Sequence, residues 1–134
     1  LDRITAFPVG CNSYRQLIEL LENVDMAEIP QYLLIVNAEI EEEVEADWNK
    51  WYDEVHLPDA LACPGVLSGT RYVSSGSASL TKDGQKSQSS TKNYMSIYEL
   101  SGPEALDTPE FSSMRGWYQF TDKITSRTQV FQRR

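Results

Sequence analysis

YLLIVNAEIEEEVEADWNKWYDEVHLPDALACPGVLSGTRYVS, residues 32–74, reads as strand, helix and strand in succession. Tyr32 to Glu39 gathers branched and aromatic residues over strand length, the composition of a buried strand. Glu41 to His56 predicts a helix. Acidic residues crowd its first turn, where they complement the helix dipole, and Val44, Trp48, Trp51 and Val55 recur at helical spacing as one apolar stripe. Pro58 is expected to end or bend this helix, and Pro64-Gly65 marks a turn. Val66 to Ser74 then reads as a second strand.

Working outward, Ser74 to Asn93 is polar almost throughout and reads as a long hairpin loop, with residues Ser75 to Lys92 expected to be mobile. Tyr94 to Leu100 (YMSIYEL) is a third strand. Thr108-Pro109 supplies an N-cap and a first-turn proline for a helix carrying Phe111, Met114 and Tyr118 on one face, flanked by Trp117 and Phe120. Thr125 to Arg133 is a fourth strand. The order β-α-β-β-α-β predicts an α+β, ferredoxin-like domain over residues 31–134, with a four-stranded antiparallel sheet. Its helices cover one sheet face. The other face needs a cover, and a second copy of the chain is the economical one, so a homodimer is expected. Residues 1–30 form an N-terminal extension. There Ser13–Gln16 (SYRQ) fits a capping box, and Tyr14, Leu17, Ile18 and Leu21 predict a short helix ending near Asn23, packed by its leucine face.

Composition narrows the partners. The 134 residues are 40% hydrophobic and 24% charged, an ordinary globular balance, with a net charge of −8. So acidic a chain is poorly suited to nucleic acid or an anionic membrane surface. The longest apolar run, Leu33 to Val36, predicts neither a spanning helix nor a secretory leader. Cys11 and Cys63 lie far apart; a reduced, cytoplasmic protein is expected, with a disulfide between them as the alternative. One histidine and two scattered cysteines leave no basis for a zinc site, so no metal is expected.

Chemistry-bearing residues concentrate between Trp48 and Gly65. Tyr52 and His56 stand at i and i+4 on one helix face, beside the tryptophans. An imidazole in that setting can titrate near working pH and move a proton; the plainer alternative is a helix-capping or surface histidine. A Cys63–His56 couple is conceivable. The chain contains no GxSxG, P-loop or GxGxxG pattern.

The run WYDEVHLPDALACPGVLSGTRY, residues 51–72, resembles the W-Y-x-x-x-H-x-P, then P-G-x-x-x-x-x-R-Y signature of EthD-like proteins of the dimeric α/β-barrel superfamily. YMSIYEL and GPEALDTPEF resemble the second half of such domains, so the likeness covers residues 31–134. It implies a pocket between sheet and helices and a proton-transfer role for His56. Arg71 and Tyr72 match the end of the signature. As strand neighbours they face opposite sides; Tyr72 is expected in the pocket wall and Arg71 at the rim holding an acidic group, or else paired with Glu99. Tyr94 and Tyr98 share a strand face, lining the pocket or packing the sheet. Asn37 would orient a substrate oxygen or satisfy backbone.

The resulting expectation is a cofactor-independent lyase, cyclase or isomerase acting on a small aromatic or polyketide-derived ligand. His56 would move the proton, Tyr52 and Tyr98 would supply hydrogen bonds, and Trp48 and Trp51 would hold the ring. Two alternatives stay open: an oxygenase of the same superfamily, with or without haem, and a non-catalytic binding or interaction domain.

Overall fold

Four runs of strand-forming residues pair side by side: β1 (Tyr32–Ile40), β2 (Val66–Val73), β5 (Tyr94–Leu100) and β6 (Ile124–Gln132), in the spatial order β2-β5-β1-β6, all antiparallel. This computed structural model describes residues 14–18 and 29–134. With helices α1 (Glu45–Trp51), α2 (Leu57–Leu61) and α3 (Pro109–Met114), the chain has the ferredoxin-like order that its periodicity predicts.

The strand register assigns the two faces. Leu34, Val36 and Ala38 of β1 lie across from Tyr98, Ser96 and Tyr94 of β5. Together they form the face packed under the helices. Leu33, Ile35, Asn37, Met95, Ile97 and Tyr72 alternate onto the opposite face and belong to neither core cluster.

β2 has a register shift between Val66 and Ser68. Such a bulge adds one residue and reverses which side chains face inward beyond it. Val66 is buried on the helix side, but past the bulge Gly69 and Arg71 face the helices and Tyr72 faces away, 52% exposed. The expected orientations of Arg71 and Tyr72 are therefore exchanged. Glu99 also alternates to the far face, so the Arg71–Glu99 pair does not form; Arg71 binds Asp53 at 2.7 Å instead.

The helix expected to end or bend at Pro58 continues through it with a local widening. After a 3-10 turn (Glu42–Val44) and α1, residues Tyr52–His56 form a π-turn, closed by the Leu57 N–H donating to the Tyr52 carbonyl, and α2 follows. Proline has no N–H and its ring crowds the carbonyl four residues back; a wider turn ahead of Pro58 gives that ring room. The widening also moves the buried face. Trp48, Tyr52, His56 and Ala60, four residues apart, all point inward, while Val55 of the expected stripe is 46% exposed.

Two further expectations change. The segment 74–93 is not a plain loop: β3 (Ala78–Lys82) and β4 (Gln85–Ser89) pair around Asp83-Gly84, whose φ values of 52° and 77° suit a tight hairpin turn. In the second helix, Thr108 caps as predicted, its Oγ1 accepting from the Phe111 N–H at 3.1 Å. That helix ends at Met114, because Arg115 is extended and Gly116 takes φ 110°. Tyr118 therefore leaves the predicted stripe, and the 3-10 turn Tyr118–Lys123 buries Phe120 instead.

Of the N-terminal extension, residues 14–18 are helical, with Tyr14 and Ile18 exposed. Ser13, Leu21, Asn23 and Cys11 lie outside the described residues. Cys63 is a free, buried thiol whose Sγ donates to the Asp59 carbonyl at 3.4 Å.

Candidate active site

The π-turn sets the geometry. It brings Tyr52 and His56 onto one line, and both face β5, where Tyr98 points up from the sheet. The Tyr52 and Tyr98 hydroxyls share a 2.7 Å hydrogen bond in which either can donate. Gly69, on the neighbouring strand, leaves room for the Tyr98 ring: a Cβ there would lie 2.8 Å from Tyr98 Cδ1 and 3.1 Å from Leu57 Cδ1.

Tyr52, His56 and Tyr98 line one cavity of about 260 Å³. Leu34, Val36 and Thr128 form its sheet side, and Phe111, Met114 and Trp117 close it from the second helical unit. It lies between sheet and helices, where the family resemblance implies a pocket. The walls are apolar with few polar groups, the usual constitution of a small-molecule site.

His56 sits in an aromatic box. Trp51 stacks on it at 4.6 Å and 19°, Tyr52 meets it edge-on at 4.8 Å, and Trp117 is tilted at 5.4 Å. Among the described residues nothing hydrogen-bonds its ring nitrogens. Burial lowers its pKa to about 4, partly opposed by Asp59 and reinforced by the cationic Arg71. The imidazole is thus neutral at pH 7, with a lone pair available to accept a proton; its titration is not near working pH. Tyr98 has the opposite bias. Burial, and then the neighbouring Tyr52, hold its hydroxyl protonated far above the usual tyrosine range. The pair of phenols is a neutral hydrogen-bonding device, and the imidazole is the available base. Burial, with Glu110 and Asp59, also keeps the Cys63 thiol protonated, which makes a Cys63–His56 nucleophile unsuitable.

The other predicted site residues fall elsewhere. Trp48 is buried beneath Arg71, and Trp51 backs His56; neither lines the cavity, so they hold Tyr52 and His56 rather than a ligand ring. Arg71 lies 4.0 Å over the Tyr52 ring and donates to Asn49 and Asp53 at 2.9 and 2.7 Å, bracing the π-turn from the sheet. Tyr94 donates to Glu45 and accepts from Asn49, outside the cavity. Asn37 and Tyr72 line a separate hollow of about 170 Å³ on the opposite sheet face. Of the cavity lining, sequence reading named only Tyr52, His56 and Tyr98 as site residues; it missed the aliphatic and aromatic walls, Thr128, and the Arg115–Trp117 segment, for which Gly116 was the available signal, since a glycine inside an amphipathic run marks a possible chain reversal.

The described residues contain no group of three or more metal-ligand side chains, and no helix among them is long and apolar enough to cross a membrane.

Comparison with known proteins gives a family and a fold. The profile of a family described as a domain of unknown function (DUF4286) matches residues 31–111, more than half of the chain. No curated protein matches. Among solved structures, a mutant form of SnoaB, a cofactor-independent oxygenase from Streptomyces nogalater, is similar at 16% identity and a TM-score of 0.50, over 78% of this chain and 94% of that one. HapK from Hahella chejuensis is similar at 12% identity and a TM-score of 0.49, over 76% and 91%. The likeness to SnoaB supports the ferredoxin-like, dimeric α/β-barrel fold.

Proposed function

The chain belongs to the DUF4286 family, and on that premise we propose that it is a cofactor-independent acid–base enzyme of EthD-like type, a lyase, cyclase or isomerase, for a small aromatic or polyketide-derived substrate. The observation that carries this reading is the convergence of His56, Tyr52 and Tyr98 on one apolar cavity. His56 accepts a proton from carbon or oxygen of the substrate and returns it in a later step. The Tyr52–Tyr98 pair donates to the oxygen on which negative charge develops, in a site where surrounding apolar walls strengthen such a bond. A neutral imidazole of low basicity removes only acidic protons, such as those flanked by carbonyl groups, which favours polyketide-like substrates. In this reading the protein works in the cytoplasm as a homodimer, paired through the face that carries Leu33, Ile35, Met95 and Ile97.

The test is conversion of a panel of phenols, quinols and aromatic β-dicarbonyl compounds, followed by NMR with oxygen uptake recorded in parallel. Native protein should convert a member without consuming oxygen, and His56→Gln should lower the rate by roughly 10²–10⁴-fold while remaining folded. Oxygen consumption would move the assignment to an oxygenase, and full activity in folded His56→Gln would end the proton-transfer role.

A further inference from the structure

The cavity has a charged rim. Its deep wall contains the buried Tyr52 and Tyr98 hydroxyls, whereas Arg115 is exposed and therefore marks the solvent side. Its guanidinium lies 5.2 Å from the centroid of the Phe111 ring, which itself forms part of the wall. Gly116, in the left-handed region at φ 110°, turns the chain immediately afterward and keeps Arg115 at the end of α3. Among the described residues Arg115, like Lys50, Lys82, Lys86 and Arg127, has no carboxylate within salt-bridge distance, and of these it is the one that lines the cavity. Glu110, on the same helix, and Asp59 line a different groove beside Cys63. In a chain of net charge −8, a cation at the mouth of an apolar cavity, with no acidic partner among the described residues, is a candidate anchor for a ligand anion.

We infer that the cavity selects a small ring compound bearing one negative charge, its hydroxyl or carbonyl oxygen bound by Tyr52 and Tyr98 and its carboxylate held by Arg115. This inference rests on the cavity being the substrate site, as proposed above, and adds the substrate's charge. Size fits it. A cavity of roughly 150 Å³ holds benzene and drug-sized ligands fill about 300 Å³ or more; about 260 Å³ accommodates one substituted ring or two fused rings. The arrangement also separates the functions: the charged group stays in water at the rim, and the reacting carbon is carried to His56.

Calorimetric titration of the full chain with 4-hydroxybenzoate and with 4-hydroxybenzamide tests this. The two differ in charge and little in shape, and general repulsion by the acidic protein works against the anion. The benzoate is expected to bind about tenfold tighter, the worth of one charge-assisted contact at an exposed site. Arg115→Gln should abolish that preference by weakening benzoate binding far more than amide binding, and Arg115→Lys should retain most of it. Equal binding of the two probes, or a preference that survives Arg115→Gln, overturns the charge assignment but leaves the cavity as a site. Binding of neither probe overturns both.

Discussion

Acidification from pH 7 to pH 5 should destabilise the protein through His56. In the folded chain the imidazole is enclosed by Trp51, Tyr52 and Trp117 and has a pKa of about 4, against an ordinary value of 6.5. The groups bearing on it are Asp59, which favours its charged form, and Arg71, which opposes it; Tyr52 and Tyr98 face it uncharged, and Arg115 shares its cavity. The unfolded chain binds a proton below pH 6.5, whereas the folded chain resists one until about pH 4. Stability is therefore fully present above 6.5 and is lost as the pH falls toward 4. At about 1.4 kcal/mol per pKa unit, the loss is about 2 kcal/mol by pH 5 and about 3 kcal/mol by pH 4. Carboxylates also titrate near the lower value, so the informative quantity is the difference between native protein and His56→Gln in urea unfolding at pH 7 and 5. The native curve should fall by about 2 kcal/mol relative to the variant. Parallel curves would refute the enclosure of the ring. Because the chain has a single histidine, NMR of its imidazole C–H gives the midpoint directly, and a value between 6 and 7 would refute the same argument.

Gly69→Ala should cost roughly 1–3 kcal/mol in unfolding free energy and blunt activity, because the new methyl displaces the Tyr98 ring or Leu57; an unchanged melting temperature would mean that the ring has room to move. Thr108→Ala removes the cap of α3 and should cost about 1 kcal/mol in denaturant unfolding. Ile97→Lys places a charge on the far sheet face, away from the cavity. Sedimentation should show the native protein at about twice its 15.2 kDa mass and the variant as monomer; a native monomer would remove the proposed pairing.

Strand and helix order was legible because each strand carries its own local signal. Tyr32–Ile40 and Tyr94–Leu100 are dense in branched and aromatic residues, and the acidic start of the first helix is unmistakable. What was not legible depends on single-residue irregularities that periodicity averages away. One extra residue between Val66 and Ser68 exchanges Arg71 and Tyr72, and no composition signal marks it. The stripe Val44, Trp48, Trp51 and Val55 fits an ideal helix as well as Trp48, Tyr52, His56 and Ala60 fits one with a wide turn. Only the clash expected at Pro58 distinguishes them. By contrast, Asp83-Gly84 was a readable hairpin signal, because aspartate and glycine tolerate the left-handed backbone it requires. His56, Tyr52 and Tyr98 were found together because helix spacing and strand alternation survive these shifts, while the tryptophans were assigned to the ligand by chemistry alone.

The wide turn at Tyr52–His56 takes up one surplus residue. Each residue advances an ordinary helix by about 100°, so Trp48 and Ala60 would stand about 120° apart on an unbroken helix; the wide turn brings them onto one buried face. Removal of the exposed Val55 would leave them about 20° apart with no wide turn at all. Length is therefore free in one direction only at this place: deletion of Val55 should keep Tyr52 and His56 on one face, at the cost of crowding the Pro58 ring, whereas insertion of a second residue there should turn Ala60 away from the sheet.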